Sequence, residues 1–174
     1  KKDGDALVVI GIGGSNQAAR AVYEALGQKN NVEIIWAGNT ISSHSMNKVI
    51  EALDKKTSIY VDCIAKNFET LEPGIAFRVM RNYMKNRYGE SYGGRIYVTF
   101  TENTKSWKLA EDNGFTPLPF PNEIGGRFTA LSPICLFPLA AAGFDIKAIA
   151  RGAREMEERL KNDLSVSNIA LQYA

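Results

Sequence analysis

The chain alternates short apolar runs with amphipathic segments, the pattern typical of parallel sheets with crossover helices. Five runs have strand length: residues 6–12, 32–37, 58–64, 95–101 and 116–120. The first, ALVVIGI, is almost continuously apolar, which indicates a strand that is covered on both faces. The fifth, TPLPF, contains Pro117 and Pro119, so we expect an edge strand or only an extended segment there.

Segments with helical periodicity fill the gaps between these runs. Residues 73–88 repeat apolar side chains every third or fourth position, and Pro73 suits a first helical turn. Residues 145–160 show the same pattern, with Asp145 as the expected N-cap. Shorter helices are predicted for residues 18–26 and 104–113. The order of elements predicts an α/β fold, a three-layer α/β/α sandwich with a mainly parallel five-stranded sheet.

Composition narrows the class of protein. At 174 residues the chain has enough length for one domain with a sizeable core. Its net charge of +2 gives no field that would favour nucleic acid or an anionic membrane surface, and no apolar run reaches the length of a membrane span. Two cysteines form no disulfide framework, so the cytoplasm is the expected compartment.

The strongest local motif is a glycine loop, Gly11-Ile12-Gly13-Gly14-Ser15, between the first strand and the first helix. Such a loop lets the backbone approach a ligand, and the helix N-terminus that follows favours a phosphate or another oxyanion. A dinucleotide site would need a third glycine, where Asn16 stands, and an acidic residue after the second strand, where Gly38-Asn39 stands. A structural turn without a ligand is the remaining alternative.

Two further loops carry candidate anion-binding side chains. Lys66 and Thr70 follow the third strand, and this loop can face the same crevice as the glycine loop if their strands are neighbours. A solvated surface lysine is the simpler interpretation of Lys66. Arg127, in Ile124-Gly125-Gly126-Arg127-Phe128-Thr129, can stabilise negative charge but carries protons poorly. The alternative interpretation of this motif is a structural turn in which Arg127 pairs with a surface carboxylate.

Groups for metal binding or proton transfer are scarce in this sequence. His44 is the one histidine, in a serine-rich segment where a surface or capping role is the more ordinary interpretation. Cys63 and Cys135 have no Cys or His neighbours at metal spacing, so we expect buried free thiols and no metal.

Read in order, the three loops resemble the first sugar-isomerase (SIS) domain of the glucose-6-phosphate isomerase family, of bacterial type. The family's GIGGS loop is present at residues 11–15, and its Ser-Lys-Thr-Phe-x-Thr-x-Glu loop is similar to AKNFETLE at residues 65–72. Its Gly-Gly-Arg-Phe/Tyr-Ser/Thr signature is matched at residues 125–129. The resemblance extends over nearly the whole chain.

The resemblance implies a role for each matching residue. Sugar-phosphate binding is implied for Gly14, Ser15, Lys66, Asn67 and Thr70. For Arg127 it implies stabilisation of the enediolate that forms as a proton moves between adjacent sugar carbons. The family's serine is Ala65 here and its threonine is Asn67, so we expect a phosphate site that keeps its charge but has fewer hydrogen-bond donors.

The implied function is the cofactor-free interconversion of glucose 6-phosphate and fructose 6-phosphate in glycolysis and gluconeogenesis. The family's catalytic glutamate, ring-opening histidine and C-terminal lysine have no counterparts in this chain, so we expect no turnover from it alone. The start at Lys1 and the end at Ala174 favour a fragment of a longer protein with two SIS domains. The resemblance also implies that the full-length protein is a homodimer. The alternative is a non-catalytic SIS module that binds a phosphosugar as a sensor or regulator.

Overall fold

The five apolar runs form the strands of one parallel sheet. The structure, a computed structural model, describes residues 4–66 and 70–174. Within these residues the strands are β1 (Ala6–Ile10), β2 (Glu33–Ala37), β3 (Ile59–Ile64), β4 (Ile96–Phe100) and β5 (Thr116–Pro119). Every predicted strand is therefore found, at most two residues shorter at either end.

The strand order is β2-β1-β3-β4-β5, and each pairing is parallel. All residues of β1 and β3 are buried, as expected for central strands covered on both faces. β5 pairs with β4 at the edge of the sheet, where Pro117 lies opposite Val98. An edge strand needs hydrogen bonds along one side only, so it tolerates the prolines that the sequence places there.

In the described residues the first four helices alternate with these strands, and the last three follow β5. Their bounds are α1 (Gln17–Leu26), α2 (Ser43–Leu53), α3 (Leu71–Tyr88), α4 (Lys105–Asp112), α5 (Pro133–Ala141), α6 (Ile146–Leu160) and α7 (Ile169–Tyr173). Pro73 lies in the first turn of α3, as predicted. α2 is absent from the sequence-based predictions. The serine-rich first turn of this helix contains the exposed His44, and the Ser42 hydroxyl caps the helix.

Helices cover both faces of the sheet, which confirms the three-layer α/β/α prediction. Side chains of α2, α3 and α4 form one apolar core with one face of the sheet, and Phe77 and Met80 of α3 lie at its centre. Side chains of α1 and α5 form a second core with the opposite face, where Ile134 is fully buried. Cys63 and Cys135 are free and buried, in agreement with the sequence analysis.

The chain divides into two compact units, Lys1–Phe144 and Asp145–Ala174. The second unit holds α6 and α7. Asp145 caps α6 as predicted, because its Oδ1 accepts a hydrogen bond from the backbone N–H of Ala148 at 3.0 Å. Asn168 caps α7 and also donates to the carbonyl oxygen of Leu160 at 2.9 Å, which ties the two helices of this unit together. Among the described residues, no helix is long and apolar enough to cross a membrane.

One buried carboxyl interrupts the apolar core. Asp62 lies in the middle of β3 with no exposed surface, and neither of its oxygens has a hydrogen-bond partner among the described residues. Burial raises the pKa of Asp62 to about 8, because an ionised carboxylate loses its hydration there. Thr99 on β4 opposes this rise in pKa only in part. Among the described residues, the Thr99 hydroxyl oxygen has no hydrogen-bond partner. The folded state therefore holds the Asp62 proton at neutral pH.

This proton makes stability depend on pH. In the unfolded chain Asp62 ionises near its ordinary pKa of 3.8, whereas the folded chain retains the proton up to about pH 8. The contribution of Asp62 to the free energy of unfolding is fully present below pH 3.8. It is lost as the pH rises towards 8, by up to about 1.4 kcal/mol per pH unit. We expect Asp62→Asn to remove this slope and to raise the free energy of unfolding at pH 8 by a few kcal/mol. Urea denaturation at pH 5, 6, 7 and 8 measures it.

The matched control is Asp112→Asn, at an exposed aspartate on α4. This variant should keep the pH slope of the unsubstituted chain. An Asp62→Asn protein with the same slope as its parent would show that Asp62 is already ionised in the folded state.

Candidate functional site

The three candidate loops follow the carboxyl ends of β1, β3 and β5. Because β1 lies between β2 and β3, the chain leaves it in one direction through α1 and returns to its other side for β3. This reversal of strand order opens a crevice at the carboxyl edge, where open α/β sheets bind ligands. The strand register places Ile10 beside Cys63, so the glycine loop and the Lys66 loop start side by side. The sequence-based expectation that their strands are neighbours is confirmed.

Backbone hydrogen bonds and one buried asparagine shape the glycine loop. Gly13 has a φ of 58°, in the left-handed region that favours glycine, and its carbonyl accepts from the N–H of Asn16 at 3.2 Å. The Asn16 side chain is 1% exposed, and its Nδ2 donates to the Gly11 carbonyl oxygen at 2.8 Å. Asn16 therefore braces the loop that precedes α1. In the sequence, Asn16 stands out only as a residue in place of the third glycine of a dinucleotide motif, and no sequence signal indicates that it stabilises the loop.

Ser15 ends the glycine loop, directly before Asn16. Its backbone N–H donates to the Ile12 carbonyl oxygen at 3.2 Å and is therefore engaged within the loop. The residue is half-buried, and no hydrogen bond of its side chain is found among the described residues. Of the two donors of Ser15, the amide is therefore engaged, and the hydroxyl has no partner among residues 4–66 and 70–174.

The glycine loop and the arginine turn make a close backbone contact. A Cβ atom added at Gly14 would lie 2.1 Å from the carbonyl oxygen of Gly126 and 2.7 Å from the backbone nitrogen of Arg127. The buried Thr129 hydroxyl, on the same turn, lies 2.7 Å from the Gly126 carbonyl oxygen and 3.3 Å from that of Gly14. The structure thus brings the backbones of Gly14 and Arg127 together.

Arg127 lies in the 3-10 turn Gly126–Phe128, and its side chain is exposed. No ion pair found among the described residues includes this arginine. In the described part of the chain Arg127 is therefore not paired with a carboxylate, unlike in the alternative interpretation of a structural turn. A guanidinium in this state keeps its donors for an incoming oxyanion.

Lys66 links the loop after β3 to the segment that precedes the arginine turn. Its Nζ donates to the carbonyl oxygen of Asn122 at 3.1 Å and lies 5.9 Å from the centroid of the Phe120 ring. The neighbouring Ala65 N–H donates to the Thr99 carbonyl oxygen at 3.1 Å, which anchors the start of this loop beside β4. The ammonium group is exposed but positioned, which differs from a lysine that is simply solvated. No sequence signal identifies its partner, Asn122.

Thr70 occupies the N-cap position of α3. Its residue is exposed, and its hydroxyl forms no capping hydrogen bond, so this donor is available to a ligand. The first turn of α3 adds backbone N–H groups and the partial positive charge of a helix N-terminus. Asn67, also predicted to bind phosphate, lies outside the described residues.

These loops follow strands at the carboxyl edge of the sheet and carry two cationic side chains, two hydroxyl groups and a cluster of glycines. Such a set can bind a phosphate and stabilise a developing oxyanion, because both tasks require fixed positive charge and N–H or O–H donors. The described residues contain no cluster of His, Cys, Asp or Glu arranged to hold a metal ion. Fold and site together define an α/β domain with candidate anion-binding loops at the carboxyl edge of its sheet.

Comparison with known proteins specifies the family. The sequence model described as phosphoglucose isomerase matches residues 2–174. Curated relatives named glucose-6-phosphate isomerase include those of Acetivibrio thermocellus, 40% identical, and Caldanaerobacter subterraneus, 42% identical. Each match covers 100% of this chain but 41% of the relative. The chain belongs to the phosphoglucose isomerase family and spans about two fifths of the length of these relatives.

Solved structures share the fold of this chain. A hypothetical protein from Thermus thermophilus superposes with a TM-score of 0.81 at 31% identity, over 89% of this chain and 37% of that one. A glucose-6-phosphate isomerase from Chlamydia trachomatis gives a TM-score of 0.75 at 23% identity, over 90% of this chain and 30% of that one. The second similarity concerns the fold alone.

We expect Gly14→Ala to disrupt the site. The new methyl group would overlap the Gly126 carbonyl, and backbone atoms cannot rotate away as a flexible side chain can. The loops should separate, and the free energy of unfolding should fall by about 1–3 kcal/mol. Thermal and urea unfolding measure this change.

Gly126→Ala is the matched control from the other side of the same contact. A Cβ at this position would lie 3.9 Å from the Gly14 Cα, an ordinary van der Waals distance. This variant should keep nearly all its stability. Equal losses from both substitutions would contradict the contact as described.

Proposed function

We propose that this chain is the sugar-phosphate-binding part of an isomerase that interconverts glucose 6-phosphate and fructose 6-phosphate. The observation that supports the proposal is the Gly14–Gly126 contact, which brings the backbone of the arginine turn against the glycine loop. Membership of the phosphoglucose isomerase family supports the choice of substrate, since curated relatives with matching sequence carry the name of that enzyme.

The phosphate of the sugar would bind between the glycine loop and the start of α3. Lys66 supplies a point charge, Ser15 and Thr70 supply hydroxyl donors, and Gly14 lets the backbone come close. Asn67 belongs to the same proposed site through the family's phosphate loop. Ala65 brings no hydroxyl to this loop, so we expect weaker binding than in relatives that have a serine there.

Arg127 would act at the sugar carbons. In the isomerisation a base removes the proton from C2 of the aldose, an enediolate forms, and a proton is returned to C1 to give the ketose. Arg127 stays protonated throughout, so it would stabilise the enediolate oxygen by charge and hydrogen bonding instead of carrying the proton. A single donor placed in this way typically contributes about 3 kcal/mol to transition-state stabilisation.

The proton-transfer groups would come from another part of a longer protein. Arg127 and Lys66, the cations of the crevice, are poor bases while charged, and the one histidine lies exposed in the first turn of α2. We infer that the chain forms one sugar-isomerase domain that works with a second, in a homodimeric cytoplasmic enzyme of glycolysis and gluconeogenesis. The relatives, of which this chain spans about two fifths, have the length for such an arrangement.

Calorimetry with fructose 6-phosphate tests the binding site. We expect the unsubstituted chain to bind this ligand and Lys66→Ala to bind it about tenfold more weakly, since a charge-assisted contact to phosphate is lost. Lys55→Ala is the matched control, because Lys55 is also exposed but lies after α2. Similar losses from both substitutions, or no binding by the parent chain, would refute the proposed phosphate site.

A coupled assay tests whether turnover requires groups from another part of a longer protein. The chain alone should give no turnover of fructose 6-phosphate above the buffer rate, because it supplies binding and Arg127 without the proposed base and acid. A full-length relative in the same assay verifies the detection limit. Turnover by the chain that disappears in Arg127→Ala would show that the whole catalytic apparatus lies within these residues.

A further inference from the structure

A second cationic surface lies along α3, between Gly74 in its first turn and Lys85 in its last. Two adjoining cavities of about 350 and 310 Å³ open between α3 and the segments that follow it. We call them together the α3–α4 groove, lined by Phe77, Arg78, Arg81, Lys85, Lys105 and Asn113. Arg78 and Arg81 line both cavities, so the two form one continuous feature.

The basic residues of the groove lack acidic partners. Neither cavity is lined by an aspartate or a glutamate. The ion pairs found among residues 4–66 and 70–174 also include none of the groove's four cations. By contrast, Arg20 and Lys56 on the same unit each pair with a glutamate. The positive charge of the groove is therefore uncompensated by the residues around it.

The spacing along α3 adds to this charge. Arg78, Arg81 and Lys85 stand at intervals of three and four residues, which places them on one side of the helix. Like charges at these intervals repel and weaken a helix, so the arrangement is unfavourable unless an anion offsets it. The helix has four basic side chains and one acidic side chain, in a chain whose total net charge is +2. Arg87, the fourth, is engaged with the carbonyl oxygen of Leu53 and the hydroxyl of Tyr83.

Arg81 is held in place before any ligand arrives. Its guanidinium lies 5.9 Å from the centroid of the Phe77 ring and 5.4 Å from that of Phe115. Its Nη2 donates to Asn113 Oδ1 at 2.9 Å, and the Tyr92 hydroxyl lies 3.4 Å from the same oxygen. A half-buried, fixed guanidinium loses little rotamer entropy when it binds an anion, which distinguishes it from a mobile surface arginine.

We propose that the α3–α4 groove binds a small molecule that carries two or more phosphate groups. A phosphate group carries about −1.5 to −2 charges at neutral pH, so two groups carry about −3 to −4, close to the charge of the four cations. The distance from Arg78 to Lys85 along the helix axis is about 10 Å, too long for one phosphate to span. The planar forks of Arg78 and Arg81 suit phosphate oxygens, which favours phosphate over a diffuse counter-ion atmosphere.

Calorimetry with inorganic tripolyphosphate tests this proposal, with orthophosphate and citrate as comparison anions. Tripolyphosphate should bind, orthophosphate should bind at least tenfold more weakly, and affinity should fall as salt is raised. Arg78→Ala should weaken tripolyphosphate binding about tenfold, since Arg78 lines both cavities and its exposed side chain is not needed for folding. Citrate binding as tight as that of tripolyphosphate would overturn the assignment to phosphate.

Two variants locate the bound anion. Arg154→Ala removes an exposed arginine from α6 and should leave the affinity for tripolyphosphate unchanged. Lys66→Ala should weaken only binding in the crevice, so the tripolyphosphate binding that Arg78→Ala removes should remain in this variant. A loss with Lys66→Ala but not with Arg78→Ala would place the anion in the crevice and refute the groove. Equal losses from Arg78→Ala and Arg154→Ala would indicate non-specific attraction and would refute it too, as would the absence of binding.

Discussion

Gly14 lies against Gly126 at a distance that leaves no room for a side chain on Gly14, and the geometry of the crevice depends on this contact. It joins the loop after β1 to the turn after β5, which belong to strands at the centre and the edge of the sheet. The buried Thr129 adds a hydroxyl between the two carbonyl oxygens. Arg127 is thereby fixed near the start of α1, although the sheet itself places β1 and β5 three strands apart.

The reversal of strand order provides the rest of the site. Because α1 and α3 pack on opposite faces of the sheet, their N-termini approach the same edge from two sides. Lys66 then reaches across to the carbonyl oxygen of Asn122 and connects the two ends of the crevice. Positive charge thus comes from side chains on two separate loops and from helix ends.

The sequence predicted what depends on local pattern. Strand bounds followed from apolar runs, and Asp145 was identified as a cap from its position before an amphipathic segment. α2 was missed although Met46, Val49, Ile50 and Leu53 follow helical spacing, because the serine-rich start resembled a loop. Contacts made over long sequence distances, such as that of Lys66 with Asn122, leave no local pattern. The burial of Asp62 had no signal beyond one polar residue in an apolar run, and a residue of that kind usually marks an exposed strand face.

α3 connects the crevice to the groove, and the separation between them decides whether they influence each other. The helix has 18 residues and begins at the crevice, so Arg78 lies about 10 Å along the axis from its first residue, Leu71. At physiological ionic strength the screening length is about 8 Å, so the charge of a groove ligand is already strongly attenuated at the N-terminus of α3. Phe77 and Met80 also pack this helix into the sheet core, which opposes movement along its axis. An anion in the groove would therefore change the field in the crevice only slightly, and the two sites would bind their ligands nearly independently.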